Sequence, residues 1–308
     1  MTDFGKIVVI GSTNTDMVIK STKLPAPGET LLGGEFFLNL GGKGANQAVA
    51  AARLGGQVTF ITKVGNDSFG TQAREQFTQE GIRTDFVITD YENASGVALI
   101  TVNAQGENTI VVAAGANGTL TETDFAAAAD EITGAKIILM QLEIPLAVVL
   151  AIAARATNVG VKVILNPAPA QELPDPIYPY LYLITPNETE AELLTGIKVD
   201  NLEAAQLAAR KLKDKGVSLV LITLGSNGAL FYDGTTPTHI TAPVVKAVDT
   251  TAAGDVFNGA LAVALAENKS LADAITFANQ AAAISVTRFG AQASAPYRAE
   301  LAAVLTSQ

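Results

Sequence analysis

Short, continuously apolar runs alternate along the chain with longer Ala-rich segments. Ile7–Ile10, Thr59–Val64, Ile137–Gln141, Val161–Leu165, Tyr182–Thr185 and Leu219–Thr223 are short and β-rich, and they read as strands. They lack in–out alternation, which predicts burial on both faces of a parallel sheet. Ala45–Leu54, Phe69–Glu80, Leu146–Asn158, Glu188–Leu194 and Leu202–Lys215 predict helices. Gly55, Gly81, Gly160, Gly196 and Gly216 stand at or just past their ends, where a left-handed residue closes a helix. The last third is helical, with Ala253–Glu267, Leu271–Arg288 and a short end from Pro296. Strand–helix alternation predicts an α/β, doubly wound fold: a mostly parallel central sheet flanked by helices, built as one domain over residues 1–308.

One region breaks this rhythm. Gly96–Asn103 and Asn108–Ala113 flank the turn Ala104–Glu107, a hairpin signal. Met17–Lys20 and Thr30–Leu40 also look extended, with Pro25, Pro27 and Gly28 between them. These runs predict a small β-sheet lid, inserted at about 13–40 and 96–113. An ordinary edge extension of the main sheet is the alternative.

Composition narrows the chemistry. Acidic residues outnumber basic ones 30 to 20, a net charge of −10, which argues against a general nucleic-acid binder. The absence of Cys excludes disulfides, thiolate metal sites and cysteine nucleophiles. A single His, His239 in a strand-like stretch, excludes a two-His metal site. The longest apolar run, Leu146–Ala154, is far short of the roughly 20 residues of a spanning helix. The start, with acidic Asp3 and an immediate strand pattern, lacks signal-peptide features. A cytoplasmic location with no membrane partner is expected.

Four clusters carry candidate chemistry. Gly41-Gly42-Lys43-Gly44-Ala45-Asn46-Gln47 leads three glycines into a helix, bringing backbone N–H groups close to a ligand or simply making a tight turn. Asp249 to Asp255 is a small-residue turn opening a long helix. Its successive N–H groups suit an anion, and Asp255 beside them is a candidate base for phosphoryl transfer to a hydroxyl. Asn187 and Glu190 stand three apart at a helix start after a strand, where they could hold hydrated Mg²⁺ or merely cap the helix. Thr223-Leu-Gly225-Ser226-Asn227-Gly228 is a Gly-rich turn that passes a nucleotide or closes a hairpin. No G-x-G-x-x-G follows the first strand, against a dinucleotide-dependent oxidoreductase.

Together these clusters resemble the two signatures of the ribokinase-like family of carbohydrate kinases. Gly41–Ala48 matches the first signature and Asp249–Gly259 the second. Asn187 with Glu190, Gly11–Asp16, Met140–Glu143 and Asn166–Pro169 also resemble family motifs, and the likeness spans the chain. The resemblance implies that Asp255 is the general base and that Gly254, Ala253 and Ala252 form the anion hole. It implies sugar contacts from Asn14, Asp16, Gly42, Lys43, Asn46 and Glu143, with Asp255. ATP would run along Asn187, Thr223, Gly225, Ser226, Gly228 and Gly254, with Asn279 near the adenine, and Asn187 and Glu190 would support Mg²⁺ through water. A K⁺ site would draw on Asp249, Thr251, Ser285, Arg288, Gly290 and Ser294, several through backbone carbonyls. Ala252 departs from the family, where Gly is common; a right-handed backbone there would make the change cheap.

The implied activity is ATP-dependent phosphorylation of a sugar hydroxyl, with the 5-hydroxyl of D-ribose as the leading acceptor and a carboxylate of ordinary pKa as base. The alternatives are 2-deoxyribose, fructose or a nucleoside as acceptor, or a non-catalytic sugar-binding regulator. A homodimer through the lid is expected.

Overall fold

The computed structural model describes residues 5–305; Asp3 lies outside them. Its strands are β1 (Ile7–Ile10), β2 (Asn14–Lys20), β3 (Glu35–Gly41), β4 (Val58–Gly65), β5 (Val87–Asp90), β6 (Gly96–Val102), β7 (Asn108–Ala113), β8 (Ile137–Met140), β9 (Lys162–Leu165), β10 (Leu183–Ile184), β11 (Leu219–Thr223), β12 (Ala229–Tyr232) and β13 (Thr238–Ile240). Its helices are α1 (Lys43–Arg53), α2 (Ser68–Gln79), α3 (Ala129–Thr133), α4 (Leu146–Asn158), α5 (Glu188–Thr195), α6 (Leu202–Asp214), α7 (Ala253–Ala266), α8 (Leu271–Ser285) and α9 (Arg298–Leu305). None is long and apolar enough to cross a membrane.

The large sheet has the order β13-β12-β11-β10-β9-β8-β1-β4-β5, parallel from β11 to β5 with β12 and β13 antiparallel at one edge. Successive residues of each strand enter opposite cores. Val8, Ile10, Ile138 and Met140 pack with α4, α5 and α6 on one face. Ile7, Val9, Ile137 and Leu139 pack with α1, α7 and α8 on the other. Burial on both faces is why these strands read as unbroken apolar runs. All five helix-ending glycines have left-handed backbone, with φ between 71° and 110°. β5, at one edge of the sheet, and β12, next to the other edge, had no counterpart in the apolar pattern, because each is four residues long and half of it is only partly buried.

The strand order reverses at β1, which pairs with β4 on one side and β8 on the other. Ligands of open α/β sheets bind at such a switch, outside the carboxyl ends of the strands. There the chain also leaves the large sheet to build a second one, ordered β3-β2-β6-β7. It is a separate sheet and no edge extension. Residues 21–34 connect β2 to β3, so the extended run begins at Glu35 and not at Thr30.

Candidate active site

Three helix starts and the small sheet converge on the switch point. α1 begins at Lys43 with Gly42 as its N-cap at φ 89°. A Cβ on Gly42 would stand 2.7 Å from the Asn14 nitrogen and 2.9 Å from the Ser12 oxygen, so only glycine lets this turn meet the β1–β2 loop. Across that contact Glu143 Oε2 accepts from the Ser12 hydroxyl at 2.5 Å and the Lys43 N–H at 3.0 Å.

α7 crosses α1 closely because Gly259 faces it: a Cβ there would come within 2.7 Å of the Gln47 carbonyl oxygen. The crossing brings Asp255, in the first turn of α7, against α1. Asp255 is 6% exposed. Its Oδ2 accepts from Asn46 Nδ2 and its Oδ1 from Gln47 Nε2, both at 2.9 Å. Burial pushes the Asp255 carboxyl above its usual range, against the opposing pull of Lys43, Asn46 and Gln47. It is therefore not the ordinary carboxylate expected from sequence.

A cavity of about 190 Å³ lies over the start of α7. Ala252, Ala253, Gly254 and Asp255 line it, together with Lys43, Asn187, Glu190 and Thr223. Asn166, Thr185 and Asn258 complete the floor, and none of these three was a predicted site residue. They are ordinary polar residues at strand ends and on a helix, and only the tertiary fold gathers them.

Ala252 corrects one expectation. It has φ 58° and ψ 13°, left-handed rather than right-handed backbone. For a residue with a Cβ this costs roughly 1–2 kcal/mol. The strained residue is the one that turns the 249–252 loop into α7, at the wall of the cavity.

The pair at α5 takes the capping arrangement. Asn187 Oδ1 accepts from the Glu190 N–H at 2.8 Å, and Glu190 Oε2 accepts from the Asn187 N–H at 2.9 Å. Glu190 is nonetheless buried in the cavity wall, and burial raises its carboxyl pKa.

On the other side of Lys43 stands Asp16. Strand alternation places Asp16, Val18, Ala98, Ile100 and Val112 on one face of the small sheet. Burial, then Glu143 and Asp255, push the Asp16 carboxyl up to about 7. Lys43 is held above its ordinary pKa, first by Asp255 and also by Glu143, Glu190 and Asp16. One ammonium thus serves four carboxyl groups. Asn14 is oriented by Asn117, which donates to Asn14 Oδ1 at 2.8 Å and was not a predicted site residue.

The remaining predicted residues fall into two groups. Gly225, Ser226 and Gly228 form the turn between β11 and β12, so the hairpin and the candidate nucleotide edge are the same feature. Asn279 is buried and its Nδ2 donates to the carbonyls of Ile240 and Thr241 at 3.3 and 3.4 Å. Asp249 ties two segments together, accepting from the N–H groups of Thr251 and Gly290 at 2.9 Å each. Although burial opposes it, these bonds hold Asp249 below its usual pKa. Ser285 and Ser294 are buried nearby in sequence and bond to carbonyls of their own turns, while the Arg288 guanidinium pairs with Glu300.

A buried carboxyl group at a helix start, with amides and further carboxyl groups around it, is an arrangement suited to phosphoryl transfer to an alcohol. The model of the pfkB family of carbohydrate kinases matches residues 5–298. The chain belongs to this family. It is 48% identical over 294 residues to a ribokinase of Haemophilus influenzae, covering 96% of both chains. It is 40% identical over 291 residues to a deoxyribokinase of Salmonella typhi, covering 94% of this chain and 95% of that one. Among solved structures, Arabidopsis thaliana ribokinase complexed with ribose and ATP superposes with a TM-score of 0.91 at 32% identity, covering 98% of both chains. The fold of that ribokinase is therefore shared over nearly the whole chain.

Proposed function

We propose that this kinase transfers the γ-phosphoryl group of ATP to the 5-hydroxyl of D-ribose, giving D-ribose 5-phosphate and ADP. The observation that carries the proposal is Asp255: buried, held by two amides, and set at the start of α7 beside Gly254, Ala253 and Ala252. Asp16 and Asn14 of β2, Gly42, Lys43, Asn46 and Glu143 would meet the sugar hydroxyls. Asp255 would take the proton of the attacking hydroxyl as the O–P bond forms. The α7 N–H groups would steady the charge on the transferring phosphoryl. The nucleotide would lie along Asn187, Thr223 and the Gly225–Gly228 turn toward Asn279.

Mg²⁺ would neutralise phosphate charge in this cavity. Among the described residues no group of three or more His, Cys, Asp or Glu side chains is arranged to hold a metal. The oxygen donors Glu190 and Asn187 fit a hydrated ion that keeps its waters. K⁺ would be held between residues 249–251 and 285–294, ordering the loop that carries Ala252. In that second segment the buried Gln292 has no partner for either amide atom, so spare polar capacity exists there. The outer face of the small sheet carries exposed Ile19, Phe36, Leu38, Leu99 and Val111, and this apolar patch fits a second copy's lid in a homodimer. A cytoplasmic location follows as the working expectation.

The test is coupled ADP release with Mg-ATP and D-ribose, 2-deoxyribose, fructose or adenosine, each with and without K⁺. K⁺-stimulated turnover strongest on ribose is expected. Preference for 2-deoxyribose would move the acceptor and keep the mechanism. Sugar binding with no turnover on any acceptor would overturn the kinase reading.

A further inference from the structure

Gln47 is wholly buried and cannot touch a substrate, yet it holds one oxygen of Asp255. Its Nε2 donates to Asp255 Oδ1 at 2.9 Å and to Asn166 Oδ1 at 3.0 Å, and its Oε1 accepts from Gln141 Nε2 at 2.5 Å. The bonds continue beyond it. Asn166 Nδ2 donates to the Thr185 carbonyl at 3.3 Å. The Thr185 hydroxyl donates to Asn258 Oδ1 at 2.6 Å, and Asn258 Nδ2 donates to the Gly254 carbonyl at 2.8 Å. The chain of contacts leaves α7 at Asp255 and returns to α7 at Gly254.

Its polarity is set by chemistry. A backbone carbonyl only accepts, so Asn166 and Asn258 must turn their NH₂ groups toward Thr185 and Gly254. Their oxygens then face inward, and Gln47 must present its NH₂ to Asn166. Its second N–H is thereby aimed at Asp255. No residue of the ring can flip its amide without opposing two acceptors.

We propose that Gln47 is the positioning residue of this kinase: through the ring it fixes the ionised Asp255 carboxylate against the start of α7. The proposal rests on Asp255 being the base. Asn46 holds the other oxygen, but its own Oδ1 is buried with no partner, so Asn46 has capacity left for the sugar while Gln47 has none. Charged groups facing Asp255 come from four other elements: Lys43 on α1, Glu143 after β8, Asp16 on β2 and Glu190 on α5. Only Lys43 favours the carboxylate. Removing the Gln47 donor leaves three carboxyl groups opposed by one ammonium and one amide, so the Asp255 pKa rises.

The test compares the wild-type enzyme with Gln47→Met, which keeps the length and loses the donors, and Gln47→Glu, which keeps the shape and turns a donor into an acceptor. Turnover is followed from pH 5 to 9, and Asp255 is titrated directly by NMR of ¹³C-labelled aspartate carboxyl groups in the sugar-free protein, with Asp255→Asn for assignment. We expect kcat at pH 7 to fall at least tenfold in both variants, with KM for sugar and ATP changed less than about threefold. The acid limb of kcat should move up by roughly one unit or more, the worth of a hydrogen bond to a charged group. The NMR pKa of Asp255 should move the same way. A kcat loss with both the limb and the NMR pKa unmoved would overturn the proposal, as would unchanged kcat. A wild-type enzyme lacking sugar kinase activity would instead remove the function it rests on, while the NMR pKa would still report whether Gln47 holds the Asp255 carboxylate.

Discussion

Asp16 links electrostatics to stability and binding in a way that can be measured. Its carboxyl titrates near 3.8 in the unfolded chain and is pushed up to about 7 in the fold, mainly by burial. A raised acid pKa means the fold binds the proton more tightly. The neutral form's stability is fully present below pH 3.8 and is lost as pH rises through 7. The separation of about three units is worth at most about 4 kcal/mol. Asp16→Asn mimics the neutral form at every pH. Its advantage should be near zero at pH 3, about 1.6 kcal/mol at pH 5, and about 4 kcal/mol above pH 7, where it levels off. A chain of this size unfolds with roughly 0.65 kcal/mol/K of entropy, so the Tm gain should grow from about 2–3 °C at pH 5 to about 6 °C at pH 8. Scanning calorimetry across this range is the assay. A pH-independent difference, or a lower Tm at pH 8, would refute the reasoning. The same group should report on the sugar. Hydroxyl donors favour the carboxylate, so ribose binding at pH 6 should release a proton, seen by calorimetry in buffers of different ionisation heat. Asp16→Asn should abolish that release and weaken ribose roughly 10–100-fold, the worth of a hydrogen bond to a charged group.

Other perturbations address the remaining assignments. Asp255→Asn should leave ribose affinity nearly intact and lower kcat by roughly 10²–10⁴, the share of a general base; near-wild-type turnover would remove Asp255 from that role. Ala252→Gly should relieve a left-handed strain of roughly 1–2 kcal/mol, offset by about 0.5–1 kcal/mol of glycine's chain entropy, for a Tm unchanged or higher by up to about 2 °C. A clear drop in Tm would contradict the strained geometry. Asp249→Ala removes the acceptor for the Thr251 and Gly290 N–H groups, and a KCl titration of turnover should show half-activation moved up at least about tenfold.

The architecture was legible because doubly buried strands leave an unmistakable apolar signal and glycines mark helix ends. The candidate site stood out where its residues are contiguous: Gly41–Gln47 and Asp249–Asp255 each gather their candidate groups in one turn. Ala252 was misread because sequence names a residue and not its φ; the turn into α7 demands left-handed backbone whatever stands there. Asn187 and Glu190 left two readings open, since three-residue spacing serves a cap and a ligand equally, and the fold builds the cap. Asn166 and Asn258 lay in stretches that resemble the family, yet neither they nor Thr185 and Asn117 were given a role, because amides and hydroxyls acquire meaning from partners about 20 to 100 positions away.

The charge inventory of the cleft says why a divalent cation belongs in the proposed reaction. Asp16, Glu143, Glu190 and Asp255 surround Lys43. These four carboxyl groups share one ammonium, and the starts of α1, α5 and α7 each add about half a positive charge. A bare triphosphate would bring about four more negative charges into a place where Asp255 must stay ionised to act as base. Every phosphate charge left unbalanced raises the pKa of Asp255 and Glu190 further, and a protonated Asp255 can take no proton from a sugar. The helix starts suffice for the single charge of a transferring phosphoryl but not for the whole triphosphate. In the proposed reaction, base strength at Asp255 would therefore depend on a cation travelling with the nucleotide, and on Gln47 and Asn46 holding the carboxylate when it arrives.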